Sequence, residues 1–371
     1  MTNAINIVII AGEESGDVNA SGVINSLKQQ STKLKFFGIG GRKLSDAGLE
    51  IIEHIDKMAV MGFAEVISHY RFLKKTFNRM LKEVDKRKPA RAILVDYPGF
   101  NLLFAKEMKK RNIPVTYYIS PQLWAWKEKR ISTIIDCVDQ MICIFPFEVS
   151  WYKKRGVEAH FVGHPFMDET SPALSQKSFM SKHNLSADSA IIALMPGSRQ
   201  QEIKKHLPTM ISTILKLMDT HKINSIIGKA PGVRLPSSLP KEIKIERDNP
   251  NEALRYSKVG IVSSGTISLQ AAFYQTPSVV IYKMNPMSWT FTKTFSQVKY
   301  ASMTNLIAGE EILPELLQKE ATSSKIAYHV KKWLNMEEEF FLSKKKLQTV
   351  RTKLGSPGSA DRAAKLIIDK L

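Results

Sequence analysis

Short apolar runs alternate along the chain with longer segments in which apolar residues recur every three or four positions. The first half holds five such runs, at 5–11, 35–39, 92–96, 115–119 and 140–145. Helical patterns lie between them, for example at 17–29, 70–88 and 102–111. This alternation is typical of parallel α/β architecture.

The alternation stops at residues 162–172, which are rich in turn formers and carry two prolines, and then begins again. Further strand patterns follow at 190–195, 224–227, 244–246, 259–263 and 278–282. The chain is therefore predicted to form two Rossmann-like domains, 1–165 and 166–355, that face each other across a cleft containing the active site. Residues 356–371 form an amphipathic helix pattern with Ser359 as N-cap, and we expect this helix to return to the first domain.

Composition narrows the class of protein. The 371 residues carry 54 Lys and Arg against 35 Asp and Glu, a net charge of +19, which favours polyanionic partners such as nucleic acid, anionic lipid or phosphorylated small molecules. Two cysteines in or beside an apolar run predict buried thiols in a reducing compartment. There is no apolar run of membrane-spanning length and no signal-peptide pattern at the N-terminus, so the sequence predicts a cytoplasmic protein.

Ligands of doubly wound domains bind at the carboxyl ends of strands, so the loops there are the candidate sites. Asp96 ends an apolar strand pattern, where a carboxylate could act as a general base on a hydroxyl or, alternatively, cap the next helix. In the loop at 11–17, helix amides could take an anion or a sugar hydroxyl, although Glu13 and Glu14 would repel a diphosphate. The alternative for that loop is an ordinary helix start with Asp17 in its first turn.

An aromatic and basic loop follows at 117–130. It contains Trp124 and Trp126 and then three basic residues, which suits stacking on a sugar face or contact with a phosphate. An aromatic cluster that fills the core is the alternative interpretation.

Two loops of the second half suit a diphosphate. Backbone amides after Gly197, at Ser198 and beyond, together with the guanidinium of Arg199, could clamp one. The turn at 264–266 offers hydroxyls and helix amides from Ser264, Gly265 and Thr266. A surface arginine and a capped helix start are the respective alternatives. A nucleotide is therefore predicted to bind the second half.

The histidines give no metal site. His160 and His164 are four residues apart, but the segment between them reads as strand and turn, whereas that spacing places two ligands on one face only in a helix. No metal and no other cofactor is predicted.

Asn305 lies in a polar, turn-like stretch. It is a further candidate for contact with a ligand, and an ordinary turn residue is the alternative interpretation.

Eight motifs, in order and at matching spacing, resemble the lipid-A-disaccharide synthase family of GT-B glycosyltransferases. The resemblance runs from about Ile7 to the C-terminus. Its motifs are AGEESGD at 11–17, MAVMGFAEV at 58–66, SPQLWAWK at 120–127 with Arg130, FPFE at 145–148, FVGH at 161–164, MPGSR at 195–199, SGT at 264–266 and NLIAG at 305–309.

The resemblance implies an inverting transfer that joins UDP-2,3-diacylglucosamine to 2,3-diacylglucosamine 1-phosphate, with release of UDP and a β-1,6 linkage. It also implies residue roles. Asp96 falls in the acidic loop thought to supply the base, and Glu13 is similar to the acidic residue of the first loop, so these two are the predicted catalytic residues. Arg199 is similar to the nucleotide-side arginine. Asn305 is similar to a functionally important asparagine, and Ser15 and Trp124 lie in motifs expected to contact substrate.

The chain departs from the family at two positions. The family often has a second Asp where Gly99 stands, which puts the role of Asp96 as base in doubt. It also often has Glu at the position of Gln270, where GT-B enzymes commonly hold the ribose. Gln270 can still hydrogen-bond hydroxyls, but without charge assistance.

An apolar stretch at 59–67 leads into a basic amphipathic helix pattern, and between Arg71 and Arg91 nine Lys and Arg face two Asp and Glu. This pattern predicts a peripheral enzyme on the anionic inner face of the inner membrane, although an ordinary solvated helix is the alternative. No nucleic-acid-binding signature is present, so no nucleic-acid partner is predicted. The sequence leaves a homodimer open. Another GT-B enzyme that uses UDP-N-acetylglucosamine, a transferase or an epimerase, is the alternative function.

Overall fold

The computed structural model describes residues 4–58, 66–125, 127–168, 174–285, 289 and 298–371, and for 66–69 it describes the backbone alone. Two compact units make up the chain, Met1–Asp168 with Leu354–Leu371, and Glu169–Lys353. Most of the predicted apolar membrane segment and Trp126 lie outside the described residues.

The first unit is built on a parallel sheet of seven strands. They are β1 (Ile5–Ala11), β2 (Leu34–Gly40), β3 (Leu49–His54), β4 (Arg91–Val95), β5 (Val115–Tyr118), β6 (Gln140–Cys143) and β7 (Ala159–Phe161). Their order in the sheet is β3-β2-β1-β4-β5-β6-β7. All five residues of β4 are buried, because a central parallel strand is covered on both faces, and this explains its uninterrupted apolar sequence.

Helices connect these strands. They are α1 (Glu14–Gln30), α2 (Arg42–Ala47), α3 (Val66–Arg87), α4 (Pro98–Lys110), α5 (Ile131–Cys137) and α6 (Pro146–Lys153). The apolar sides of α3 and α4 pack with the sheet in one buried cluster that includes Val84, Phe104 and Met108. Single 3-10 turns lie at Ile55–Lys57, Glu128–Arg130 and Pro165–Asp168.

The second unit repeats this plan with six parallel strands. They are β8 (Ala190–Met195), β9 (Ile223–Gly228), β10 (Ile243–Glu246), β11 (Val259–Ser263), β12 (Ser278–Tyr282) and β13 (Glu315–Leu317), in the order β10-β9-β8-β11-β12-β13. Its helices are α7 (Gln176–Lys182), α8 (Gln200–Met218), α9 (Pro250–Arg255), α10 (Thr266–Tyr274), α11 (Met303–Ala308), α12 (Ser323–Asn335) and α13 (Glu337–Lys353), with a 3-10 turn at Gln318–Glu320. The prediction of two Rossmann-like α/β domains is confirmed.

The last helix, α14 (Ser359–Ile368), packs on α1, so its predicted return to the first unit is confirmed. The side chains of Arg91 and Gln140 donate hydrogen bonds to main-chain carbonyls of this C-terminal segment, at 2.6 and 2.8 Å. The predicted N-cap is wrong by one residue, because Gly358 occupies that position and the helix begins at Ser359. The carboxylate of Asp168 accepts from the amides of both residues and so caps the helix from a distant part of the chain.

The sequence prediction missed two strands, β3 and β13, and indicated β7 only as the strand before the turn at His164. All three lie at an edge of their sheet and are three to six residues long with mixed polarity. Such strands lack the continuous apolar run of a central parallel strand, which was the signal used to find the others.

Candidate functional site

Both sheets reverse their strand order at one point, between β1 and β4 in the first unit and between β8 and β11 in the second. Neighbouring connections diverge at such a switch point, which leaves a crevice at the carboxyl ends of the strands. The loops that follow these four strands are those at 12–13, 96–97, 196–199 and 264–265. They contain most of the predicted site residues.

Asp96 follows directly after β4 and adopts a left-handed backbone conformation, with φ of 44°, as does Tyr97 with φ of 46°. The side chain of Asn101 donates to the main-chain carbonyl of Asp96 at 2.7 Å, and the hydroxyl of Tyr117 donates to the same oxygen at 2.6 Å. Burial, with a smaller contribution from the charge of Glu13, raises the pKa of the Asp96 carboxyl to about 6.

Glu13 and Ser15 are exposed at the start of α1. Gly12, just before them, packs against the ring of Tyr97, and a Cβ at this position would lie 2.3 Å from that ring. The loop after β1 can therefore approach the loop after β4 only if it carries glycine there. Asp17 does not face this loop; its buried carboxylate accepts from the amides at 41, 43 and 44 and caps α2.

The indole of Trp124 is buried and donates to the Glu148 carboxylate at 3.0 Å, beside the hydroxyl of Ser120 at 2.6 Å. Burial raises the pKa of Glu148 to about 7 against the effect of these donors. The geometry thus resembles the core alternative for Trp124 more than an open stacking surface.

A cavity of about 490 Å³ opens at the switch point of the second unit. All seven residues predicted to bind UDP line it: Gly197, Ser198, Arg199, Ser264, Gly265, Thr266 and Gln270. Further lining comes from the end of β9 and the loop after it, and from the start of α9, through Gly228, Ala230, Pro231, Pro250 and Asn251. The side chain of Arg199 is 79% exposed, so its guanidinium is accessible to a ligand.

The two helix N-termini at this cavity differ. At α8, the carboxylate of Glu202 accepts from the amides of Ser198 and Arg199, at 3.0 and 3.2 Å. Gly197 has φ of 123°, and a Cβ there would lie 2.3 Å from the same carboxylate. At α10 the N-cap is Gly265, with φ of 133° and open space where a Cβ would lie, and no side chain among the described residues caps this helix. The amides of Ser198 and Arg199 are therefore already used, which favours the amides at the start of α10 for an anion in this cavity.

Asn305 is fully buried in the second unit, and its amide has four partners. It donates to the carbonyl of Leu313 and the carboxylate of Glu315, both at 2.8 Å, and accepts from the amides of Ile312 and Leu313, both at 2.9 Å. This side chain holds the segment that leads into β13. A direct substrate contact would have to replace one of these bonds.

Sequence reasoning missed His206, which lies in α8 beneath the 196–199 loop. Its Nδ1 donates to the carbonyl of Pro196 and its Nε2 accepts from the amide of Lys283, both at 2.9 Å. An acceptor at one nitrogen and a donor at the other select the neutral tautomer, and burial lowers the pKa of this imidazole, which favours the same form.

Within the described ranges, no group of three or more His, Cys, Asp or Glu side chains could hold a metal ion. A search of the same residues finds no helix with the length and apolar character needed to span a membrane.

Comparison with known proteins gives a consistent result over the whole chain. A family model described as lipid-A-disaccharide synthetase matches residues 7–368. Lipid-A-disaccharide synthase of Geobacter metallireducens is 34% identical over 98% of this chain and 97% of its own length. The enzyme of the same name from Coxiella burnetii is 36% identical, with 97% of each chain covered.

Solved structures with low sequence identity share the fold. MurG of Acinetobacter baumannii matches with a TM-score of 0.60 at 13% identity, covering 99% of each chain. UDP-GlcNAc 2-epimerase of Neisseria meningitidis, bound to UDP-GlcNAc, matches with a TM-score of 0.62 at 11% identity, covering 98% of this chain and 99% of its own. These similarities support the GT-B fold. The alternative function, another UDP-sugar enzyme of this fold, is not favoured, because the close sequence relatives carry a different name.

Proposed function

The chain belongs to the lipid-A-disaccharide synthase family of GT-B glycosyltransferases in lipid A biosynthesis, and from this premise we propose which residues hold its UDP-sugar donor and activate its lipid acceptor. The donor proposed is UDP-2,3-diacylglucosamine and the acceptor 2,3-diacylglucosamine 1-phosphate. The observation that carries the proposal is the single cavity lined by all seven residues predicted to bind UDP.

The donor diphosphate is assigned to the uncapped N-terminus of α10, formed by Gly265 and Thr266, with Arg199 as the neutralising cation. Glu202 already uses the amides of Ser198 and Arg199 just before α8, which favours α10 as the anion site. The position of Gln270 on the cavity wall fits contact with the ribose hydroxyls. The amides and the arginine meet the charge that develops on the departing UDP with dipoles already in place.

Asp96 is proposed as the general base. With a pKa raised to about 6, its carboxylate is mostly ionised at pH 7 and still basic enough to take a proton from a hydroxyl in the transition state. The acceptor 6-hydroxyl gives its proton to Asp96 while its oxygen attacks C1 of the donor sugar. The C1–O bond breaks with its electron pair on UDP, and attack from the opposite side inverts the anomeric centre. Glu13 is proposed to tune this base, because its charge contributes to the raised pKa of Asp96.

The test separates the chemistry from nucleotide binding. Asp96→Asn should reduce turnover to background, measured by mass spectrometry of the disaccharide product, while the Kd for UDP stays unchanged. Asp136→Asn, which makes the same chemical change on an exposed carboxylate of the same unit, serves as the control. Turnover by Asp96→Asn close to that of the unsubstituted chain would exclude Asp96 as the base.

The donor site has its own test. Arg199→Ala should raise the Kd for UDP about tenfold or more, since a charge-assisted contact to phosphate is lost. Arg247→Ala, an exposed arginine of the same unit outside the cavity lining, should leave the Kd unchanged. Equal Kd values for both variants would argue against the assignment of Arg199.

Membrane docking is proposed for α3. Its residues Arg71, Lys74, Lys75, Asn78, Arg79 and Lys82 line one surface groove, and Tyr70 beside them is 67% exposed. Each basic side chain near an anionic lipid surface contributes about 1 kcal/mol. These basic residues support the proposal that the enzyme binds peripherally to the anionic inner face of the inner membrane.

Vesicle binding tests the docking surface. Changing Lys74 and Lys75 to Glu should weaken binding to vesicles containing anionic phospholipid and reduce its salt dependence. The same change at Lys109 and Lys110, exposed at the end of α4, is the matched control. Binding that is insensitive to salt would contradict the electrostatic part of this proposal.

A homodimer stays a prediction, which sedimentation velocity would test.

A further inference from the structure

Two consecutive non-glycine residues, Asp96 and Tyr97, hold left-handed backbone conformations directly after β4. Such conformations are unfavourable for residues with a Cβ and persist only where surrounding contacts impose them. The contacts that do so at Asp96 involve its main-chain amide and carbonyl, and the main-chain amide of Tyr97 also hydrogen-bonds its carboxylate. The amide donates to the carbonyl of Tyr118 at 3.1 Å, and the carbonyl accepts from two side chains.

We propose that Tyr117 and Asn101 are positioning residues for Asp96, because both donate to its main-chain carbonyl and thereby fix the direction of its carboxylate. The inference rests on the proposed role of Asp96 as base. Neither side chain needs to touch substrate. A carboxylate on a relaxed, extended backbone would leave the strand in a different direction, since the side chain turns with φ and ψ of its own residue.

Tyr117 is suited to this role by its place in the fold. It lies in β5, hydrogen-bonded to β4 as the neighbouring strand, and it is fully buried. Burial raises its pKa well above the ordinary value, so the phenol keeps its proton and remains a donor throughout the working pH range. The donor arrives from a rigid sheet and not from a mobile loop.

Asn101 lies in the first turn and a half of α4 and is likewise fully buried. Its Nδ2 reaches the carbonyls of Asp96, Val95 and Ile10, at 2.7, 3.2 and 3.4 Å, whereas its Oδ1 has no hydrogen-bond partner among the residues that the structure describes. A buried amide oxygen without a partner is unfavourable. We infer that the NH₂ group is the functional part of this side chain, because it donates to carbonyls at the ends of β1 and β4 and to that of Asp96.

Tyr117→Phe is the primary test, since it removes one buried hydroxyl and keeps the ring. We expect kcat to fall about tenfold or more, because small misplacements of a catalytic group are costly. KM for the donor and Kd for UDP should stay within about twofold, since the UDP site is in the other unit. The acid limb of the pH–rate profile should also move, because the setting of the Asp96 carboxylate changes.

Tyr118→Phe is the matched control. It removes a hydroxyl from the next, equally buried tyrosine of β5 and leaves the main-chain bond from Asp96 to Tyr118 in place. We expect kcat and the pH profile of this variant to match those of the unsubstituted chain. Asn101→Ala removes the second donor and should reduce kcat in the same way, which provides a reading if Tyr117→Phe does not fold.

The outcomes are distinct. A Tyr117→Phe enzyme that keeps kcat and the pH profile, while Asp96→Asn is inactive, would overturn the positioning role and leave the base assignment intact. A lower melting temperature with kcat unchanged per folded molecule would show a purely structural role and overturn it as well. Activity in Asp96→Asn would instead overturn the proposed function on which this inference rests.

Discussion

Asp96→Asn should make the first unit more stable while it abolishes turnover. The pKa of Asp96 rises from its ordinary 3.8 to about 6 in the folded protein, chiefly through burial. Each pKa unit corresponds to about 1.4 kcal/mol, so the ionised carboxylate costs the folded state about 3 kcal/mol above pH 6. Asparagine has similar size and shape and carries no charge, and it removes this cost.

The sign of the pH dependence follows from the same values. Between pH 3.8 and about 6 the folded state holds a proton on Asp96 that the unfolded chain has released. The stability of the unsubstituted chain therefore falls as pH rises through this interval. The advantage of Asp96→Asn should be near zero at pH 4, grow through this interval and reach its full size of about 3 kcal/mol above pH 7.

Hydrogen exchange measured by mass spectrometry provides the assay, because the two units can unfold separately and peptides from β1 and β4 report on the first unit alone. Variant and unsubstituted chain are compared at equal pH, so that intrinsic exchange rates cancel. Asp136→Asn should show no gain at any pH. Two results would refute the claim that burial opposes ionisation of this carboxyl. One is that Asp96→Asn is no more stable than the unsubstituted chain at pH 7.5, and the other is that its gain in stability is equal at pH 4 and pH 7.5.

Three further outcomes follow from the structure. Glu13→Gln should shift the acid limb of the pH–rate profile, expected near pH 6, to lower pH, because one charge that raises the pKa of Asp96 is gone; an unmoved limb contradicts this. Glu202→Ala should cost about 1 kcal/mol of unfolding free energy through the lost cap, and an unchanged free energy of unfolding would contradict this. Asn305→Ala should destabilise the second unit by about 3 kcal/mol or more, since buried partners are left unsatisfied, and a preserved melting temperature would contradict this.

The sequence was most informative where a strand is long, apolar and central. Such strands end at the switch point of each sheet, so the loops that follow β1, β4, β8 and β11 could be found by reading where apolar runs stop. Seven candidates from the loops and helix starts after β8 and β11 line one cavity, because parallel strands bring their carboxyl ends to the same edge. The local sequence pattern was sufficient to find these residues, because the parallel sheet topology brings the loops that contain them together.

Residues whose role depends on partners distant in sequence could not be read in this way. Trp124 stands in an aromatic and basic loop that suggests an open stacking surface, yet its indole is buried on Glu148, which lies 24 residues later. No sequence pattern singles out His206. Its side chain links the loop that contains Pro196 to Lys283, which lies 77 residues after His206 in the sequence. Only the packed structure shows which donors and acceptors remain for these side chains.

Glu202 changes the interpretation of a correctly chosen loop. The amides of Ser198 and Arg199 are the groups from which the sequence predicts a diphosphate clamp, and a carboxylate three or four residues later already accepts from both. Sequence alone gives no means of counting which amides are already used. The loop therefore contributes the cation of Arg199, and we propose that the helix amides that hold the diphosphate are those of α10.

The chain has Gly99 at the position where the family often has a second Asp near the proposed base, Asp96. Gly99 is exposed in the first turn of α4, with open space where a Cβ would lie, so nothing in the surrounding structure requires glycine. A second carboxylate nevertheless acts on Asp96, because Glu13 at the end of the neighbouring strand β1 raises its pKa. Because β1 and β4 are adjacent at the switch point, the loop after β1 provides a negative charge that the segment after β4 lacks. The basicity of Asp96 thus depends on burial and on Glu13, and neither requires an acidic residue at position 99.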